Sequence, residues 1–286
     1  MASHSAEAAE KGLAPFEAVS PDGVRLRGVT AGNPEGPSIL FLHGICQSHL
    51  AWRAQLTDPA LAARFRMAAV DLRGHGFSDK PLDAAAYAED HRWAGDVAAV
   101  IAAAGLERPV LVGWSYAGRV ITDYLRGHGQ GGIAGINFVG AVTRNDPDIS
   151  GPERRHLAAM LTEDLAAHIE ATRAFVRGCT AREPSREEFE RALAVNMMVP
   201  LAVRHALIKE RSHNPGDLLP ALTVPVLVTH GAADAIILPV LGERTAAAVP
   251  GARLSLYEGV GHSPFAEAPE RFNQELAAFA AAAHGQ

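Results

Sequence analysis

The feature that most constrains the fold is a regular alternation between short apolar runs and amphipathic helical stretches. The runs are continuously apolar, which is typical of strands buried on both faces. We assign strands to residues 16–19, 24–29, 38–42, 67–70, 110–112, 136–142, 226–229 and 253–257. Because helical spacing separates most of these runs, they predict a mostly parallel sheet with helices on both faces. The first two runs flank a Pro-Asp-Gly turn and predict an antiparallel hairpin at one edge.

The alternation stops between residues 144 and 216, where apolar residues keep helical spacing. Ser185 followed by Glu188 matches a capping box and predicts the start of one helix. Both ends of this stretch are rich in turn residues. We therefore divide the chain into a flexible tail (residues 1–14), an α/β core (residues 15–143 and 217–286) and a helical cap insertion (residues 144–216).

Composition narrows the classes of partner. The formal charge is −6 and no run of Lys or Arg occurs, so we expect binding neither to nucleic acid nor to a membrane. No window approaches the roughly 20 apolar residues of a membrane span, and the N-terminus lacks a signal-peptide pattern. Cys46 and Cys179 are too few for a disulfide framework. We expect a cytoplasmic protein acting on a small-molecule substrate, and the sequence leaves open whether it forms a homo-oligomer.

Ser115 is the predicted nucleophile, in Gly113-Trp-Ser115-Tyr-Ala117-Gly118. An apolar strand runs directly into this serine and a helical pattern follows it, which is the context of the nucleophile elbow G-x-S-x-G. Such a turn strains the serine backbone and places the helix N-terminus beneath developing negative charge. Ala117 departs from the second glycine of the pattern. A serine that only caps the helix is the simpler alternative.

A serine hydroxyl needs a base and the base needs a carboxylate. His262 lies on a glycine-rich loop between the last strand and the last helix, and Asp234 follows the strand before it. The chain order Ser, Asp, His is the one that α/β-hydrolases use. Asp146, which follows the preceding strand, is a rival acid. We favour Asp234 because its strand-Gly-x-x-Asp context suits the geometry better.

The oxyanion of an acyl-transfer intermediate needs backbone N–H donors. We predict one from Tyr116, directly after the nucleophile, and one from Ile45 in the segment His43-Gly44-Ile45-Cys46. We interpret His43 as a structural hydrogen-bonding residue and Cys46 as a packing residue.

Together these motifs resemble the α/β-hydrolase superfamily, over residues 16–279. The segment Asp71-Leu-Arg73-Gly-His75-Gly-Phe-Ser-Asp79 is similar to a loop of the branch that contains esterases, non-haem perhydrolases, epoxide hydrolases and meta-cleavage-product hydrolases. The resemblance implies an eight-stranded sheet with a helical cap, and loop-ordering roles for Asp71, Arg73 and His75. Dehalogenases and epoxide hydrolases of this fold use Asp at the elbow, so Ser115 disfavours both.

The functional expectation is an esterase-like serine hydrolase that acts through an acyl-enzyme. The alternatives are a lactonase or diketone C–C hydrolase, a perhydrolase, and a ligand receptor with slow turnover. Many perhydrolases have Pro where this chain has Cys46, which weakens that alternative. The histidines show no metal-ligand spacing, and we predict neither a metal nor a cofactor.

Overall fold

The computed structural model describes residues 12–208 and 214–285. Eight strands form one sheet in the order β1-β2-β4-β3-β5-β6-β7-β8. The strands are β1 (Ala14–Val19), β2 (Arg25–Gly32), β3 (Ser38–Leu42), β4 (Arg66–Val70), β5 (Val110–Trp114), β6 (Gly135–Val139), β7 (Val226–Gly231) and β8 (Arg253–Tyr257). Strand β2 is antiparallel to both of its neighbours, and the remaining pairs are parallel. The predicted mostly parallel, eight-stranded sheet is confirmed.

The described α-helices flank this sheet or lie in the long connection between β6 and β7. They are α1 (Arg53–Leu56), α2 (Pro59–Arg64), α3 (Ala85–Ala88), α4 (Asp90–Ala103), α5 (Ala117–His128), α6 (Arg155–Ala159), α7 (Leu165–Gly178), α8 (Arg186–Met197), α9 (Leu201–Ile208), α10 (Val240–Ala248), α11 (Pro264–Glu267) and α12 (Pro269–Ala283). Short 3₁₀ helices cover His49–Trp52, Pro152–Arg154 and Pro215–Ala221.

The core lies on both faces of the sheet. Helices α4, α5 and α10 cover one face, and α1, α2 and α12 cover the other. The apolar stripe of the last helix, Phe272, Leu276 and Phe279, is buried. Gln55 of α1 reaches α12, where its Nε2 donates a 2.8 Å hydrogen bond to Asn273 Oδ1. Elements that are far apart in sequence therefore close the second face together.

Strand β6 is shorter than the apolar run that predicted it. The run extends to Val142, whereas the strand ends at Val139. Beyond that point the Val142 amide donates a 2.8 Å hydrogen bond to the Ser115 carbonyl, which draws the chain out of the sheet and onto the turn after β5. The apolarity of Ala141 and Val142 is therefore explained by burial in that contact.

Helices α6 to α9 lie in the segment predicted to be a cap. Helix α8 begins at the predicted capping box, since Ser185 Oγ accepts the Glu188 amide and the Glu188 carboxylate accepts the Ser185 amide. Among the described residues no single helix has the length and apolarity of a membrane span, and the pair α8 and α9, bent by 89°, meets that test only jointly. Residues 1–11 of the predicted tail lie outside the described residues, and Ala14 belongs to β1.

Candidate active site

Ser115 occupies the turn between β5 and α5. Its φ is 55°, a left-handed conformation that costs a non-glycine residue on the order of 1–3 kcal/mol. Backbone hydrogen bonds hold it there: its amide donates to the Val139 carbonyl, and its carbonyl accepts from Gly118 and Val142. Ala117, which departs from the elbow pattern, is the buried first residue of α5. The backbone therefore has the strain that an elbow predicts.

His262 and Asp234 meet as predicted from chain order. The histidine Nδ1 lies 2.7 Å from Asp234 Oδ2, and both side chains are buried. The other carboxylate oxygen accepts the amides of Ile236 and Ile237 at 2.8 and 2.9 Å. Because an ionised carboxylate only accepts hydrogen bonds, the imidazole proton lies on Nδ1, and Nε2 is left as an acceptor.

Asp234 stays ionised in spite of its burial. Burial alone would raise the pKa of Asp234, but the charge of His262 and the hydrogen bonds from His230 and His262 hold that pKa well below its usual range. A role for His230 was not predicted from the sequence. It is buried, and its Nε2 lies 2.9 Å from the Ile237 carbonyl and 3.2 Å from Asp234 Oδ2. The only sequence signal was its position four residues before the aspartate.

The rival acid lies elsewhere. Asp146 forms ion pairs with Arg144 and Arg244 at 3.0 and 3.1 Å, whereas the carboxylate on the His262 ring is that of Asp234. Of the two candidates, only Asp234 is therefore placed to orient the imidazole.

The residue before Ser115, Trp114, contacts His262 directly. The Trp114 indole Nε1 donates a 2.8 Å hydrogen bond to the His262 carbonyl, and the two rings are 5.6 Å apart. The Ser115 hydroxyl itself has no hydrogen-bond partner within residues 12–208 and 214–285. Catalytic hydrogen bonds often shorten only when substrate binds, so this geometry is compatible with a base at His262. The structure brings together the pair His262 and Asp234, but it does not join the serine to them.

The predicted oxyanion loop packs directly on the elbow. A Cβ atom at Gly44 would lie 3.1 Å from Ser115 Cβ, so a glycine permits this approach. The Leu72 amide donates to His43 Nε2, which leaves His43 Nδ1 to donate to the Gly44 carbonyl at 2.7 Å. Since a carbonyl and the next N–H point in opposite directions across a trans peptide, this bond also fixes the direction of the Ile45 N–H.

Three further residues of this region, Tyr116, Cys46 and His43, lie close to the elbow or in the loop that packs on it. Tyr116 is the N-cap residue of α5, so its amide lies at the positive end of that helix. Cys46 has a φ of 56°, a second strained position close to the elbow. His43 is fully buried, and burial lowers its pKa to about 4, so it stays neutral near pH 7.

The loop after β4 is ordered by buried charges. Arg73, fully buried, donates two 2.6 Å hydrogen bonds to Asp96 and pairs with Asp22 at 2.9 Å. Asp71 accepts hydrogen bonds from the backbone and ring of His49. His75 Nδ1 lies 2.9 Å from the Arg73 carbonyl. These contacts fit the loop-ordering roles that the resemblance implies.

A cavity of about 540 Å³ lies between helices α7 and α8 on one side and α1 and α11 on the other. Trp114 and Ser263 line it, one directly before the predicted nucleophile and the other directly after the predicted base, but none of the three predicted catalytic residues does. The lining also includes a largely apolar set of side chains: Leu50, Ala54, Val176, Phe189, Val195 and Phe265. The cavity is therefore adjacent to the elbow rather than centred on it.

Charged residues line another part of the cavity. Glu187 of α8 pairs with Arg53 of α1 at 3.4 Å, which connects these two helices, and with Arg191 of its own helix at 3.0 Å. Within the described ranges, no group of three or more His, Cys, Asp or Glu side chains could hold a metal ion.

The sequence profile of the alpha/beta hydrolase family matches residues 39–275. The chain belongs to the alpha/beta hydrolase family, which confirms the resemblance seen in its motifs. The AB hydrolase superfamily protein YisY of Bacillus subtilis is 28 % identical over 255 residues, covering 85 % of this chain and 91 % of YisY. The probable oxidoreductase EphD of Mycobacterium tuberculosis is 33 % identical over 191 residues, or 66 % of this chain. This chain aligns with only 29 % of the EphD length.

Solved structures give longer matches at higher identity. A candidate aryl esterase from Burkholderia cenocepacia is 38 % identical, has a TM-score of 0.89, and matches over 96 % of this chain and 100 % of its own. The esterase RhEst1 from Rhodococcus sp. ECU1013 is 36 % identical, with a TM-score of 0.86 over 94 % of this chain and 98 % of its own. These similarities support a hydrolase of the α/β type.

Proposed function

We propose that the protein is a serine hydrolase that cleaves a carboxylic ester of a small or medium-sized, largely apolar substrate. The observation that carries the proposal is the buried 2.7 Å contact between His262 Nδ1 and Asp234 Oδ2, at the same edge of the sheet as the strained Ser115. That edge is shared because β5, β7 and β8 run in one direction. The esterase neighbours support the same reaction class.

In the proposed reaction the Ser115 hydroxyl attacks the ester carbonyl while His262 Nε2 accepts its proton. Asp234 stabilises the imidazolium that forms. The amides of Ile45 and Tyr116 bind the tetrahedral oxyanion, at about 3–4 kcal/mol for each donor. His262 then gives the proton to the leaving alcohol. Water, activated by the same imidazole, hydrolyses the acyl-enzyme and releases the acid.

The cavity next to the elbow supports an apolar substrate. Its volume lies within the range of roughly 300–1,000 Å³ typical of small-molecule sites. Its aromatic surface comes from Trp114, Phe189 and Phe265, which suits an aryl or alkyl group. Cys46 argues against a perhydrolase, because proline cannot adopt its φ of 56° and the loop therefore has a shape that a proline loop cannot share.

The test is turnover of a p-nitrophenyl ester by the wild type, by Ser115→Ala and by a matched control. Ser150→Ala removes an exposed hydroxyl outside the site and should leave the rate unchanged. Ser115→Ala should abolish turnover and also labelling by a fluorophosphonate, read as a mass increase on the intact protein. A Ser115→Ala variant that turns over as fast as the wild type would exclude the proposed nucleophile.

A panel of substrates separates the remaining alternatives. Faster turnover of a lactone or a diketone than of any ester would move the assignment to a lactonase or C–C hydrolase. A single slow turnover on every compound would indicate a receptor. Many turnovers, fastest on apolar esters, would support the proposal.

A further inference from the structure

The carboxylate of Glu267, on α11, lies beside the loop that carries the predicted base. It accepts the Gly261 amide at 3.0 Å and the Ser263 amide at 3.3 Å, the residues on either side of His262. It also accepts the amide of Ala181 at 2.8 Å. Glu267 therefore bonds both the histidine loop and the segment after α7.

The two bonded segments are in close contact. A Cβ atom at Gly261 would lie 2.6 Å from the Ala181 nitrogen and 2.9 Å from the Thr180 carbonyl carbon. The backbone of the cap segment thus lies directly against the backbone next to His262, and no side chain fits between them.

Both carboxylate oxygens of Glu267 take part. The Gly261 amide lies 3.0 Å from Oε1 and 3.1 Å from Oε2 and donates to both. Oε1 also accepts the Ser263 amide, and Oε2 also accepts the Ala181 amide. No Lys or Arg pairs with Glu267 in the part of the chain that the structure describes, so its charge is met by backbone N–H groups. Hydrogen bonds to an ionised acceptor are roughly twice as strong as neutral ones.

We propose that Glu267 is a positioning residue for the general base: it holds the backbone on both sides of His262 and fastens the cap segment to that backbone at Ala181. The inference rests on the proposed function, because it assigns His262 as the base. The Glu267 carboxylate then fixes both the place where the cap segment contacts the histidine loop and the position of the His262 imidazole. The chemistry itself stays with the imidazole.

The first experiment compares Glu267→Ala, Glu267→Gln and the matched control Glu270→Gln, which changes an exposed glutamate of α12. The readouts are kcat and KM on the ester, per active site counted by fluorophosphonate. Because a misplacement of roughly 1 Å costs about 10²-fold, Glu267→Ala should lower kcat by about 10- to 100-fold and change KM much less. An amide has one acceptor oxygen, so Glu267→Gln should fall between Glu267→Ala and the wild type. The control should match the wild type.

A folded Glu267→Ala protein with kcat within a factor of about two of the wild type would overturn the proposal. Loss of thermal stability with an unchanged kcat would do the same, since it would show a role in folding only. A wild type that hydrolyses no ester would instead refute the proposed function, so the two failures are distinguishable.

The second experiment tests the link to the cap. Ala181→Pro removes the N–H that Glu267 accepts and leaves the carboxylate in place, while Ala181→Ser keeps that N–H as the control. Hydrogen exchange of the peptide spanning residues 259–266 should become faster in Ala181→Pro and stay unchanged in Ala181→Ser. Exchange at the wild-type rate in Ala181→Pro would refute the coupling between the cap and the histidine loop.

Discussion

Protonation of His75 offers a sharp test of how the loop after β4 is stabilised. The imidazole is fully buried, 5.0 Å from the ring of His43, and its Nδ1 proton points to the Arg73 carbonyl. Its Nε2 has no hydrogen-bond partner among the residues that the structure describes. Burial lowers the pKa of His75 from 6.5 to about 3, and the charge of His43 adds to that effect. The folded protein therefore holds this side chain neutral across the mildly acidic range.

The sign of the effect follows from the unfolded chain. An unfolded imidazole takes up a proton below pH 6.5, whereas the folded one does so only near pH 3, so acid favours unfolding. The contribution of neutral His75 to the free energy of unfolding is complete above pH 6.5 and is lost as the pH falls towards 3. Between pH 7 and pH 5 linkage gives a loss of about 2 kcal/mol from His75 alone.

The perturbation is His75→Asn, whose side-chain amide can still donate to the Arg73 carbonyl but does not titrate. The free energy of unfolding is measured by urea denaturation at pH 7 and pH 5. Between pH 7 and pH 5 the free energy of unfolding of the variant should fall by about 2 kcal/mol less than that of the wild type, whatever the variant's stability at pH 7. Other histidines, His43 included, contribute to both proteins. An equal loss in both proteins would refute the assignment of a neutral, buried His75.

Three further outcomes follow from the site and the buried loop. Asp234→Asn should lower kcat by about 10⁴-fold, because an amide can hold His262 in the wrong tautomer, and an activity near wild type would contradict the pairing. Cys46→Gly should be about 1 kcal/mol more stable to urea than Cys46→Ala, the reverse of the usual order, because only glycine relaxes at a positive φ. Arg73→Lys should lower the free energy of unfolding by roughly 3–5 kcal/mol, since it breaks the paired contacts to buried Asp96; a loss under about 1 kcal/mol would show that the pair is not needed.

Much of the scaffold was predictable from the sequence because strand burial is recorded in continuous apolar runs. The pairing of Asp234 with His262 was also predictable, since both follow parallel strands whose carboxyl ends share one edge. The end of β6 was not, because Val142 is apolar for a reason other than strand pairing: it packs over the elbow.

A local reversal of the chain and a contact between distant segments account for what the sequence did not show. His230 reaches Asp234 only because the chain after β7 curls back on itself. Glu267 follows the histidine loop closely in the sequence, but its partner Ala181 comes from the distant segment after α7. The roles of Ser115, Ile45 and Tyr116 stay predictions. Their backbones occupy the expected places.

The hydrogen bond between Gln55 and Asn273 joins positions 218 residues apart and has a consequence for synthesis. A ribosome releases Ser115 well before Asp234, His262 and the helix that covers the second face of the sheet. A nascent chain that stops before Asp234 thus carries Ser115 without the aspartate and the histidine of the predicted site. If Ser115 is the nucleophile, we expect a fluorophosphonate to label only chains long enough to include His262 and the last helix.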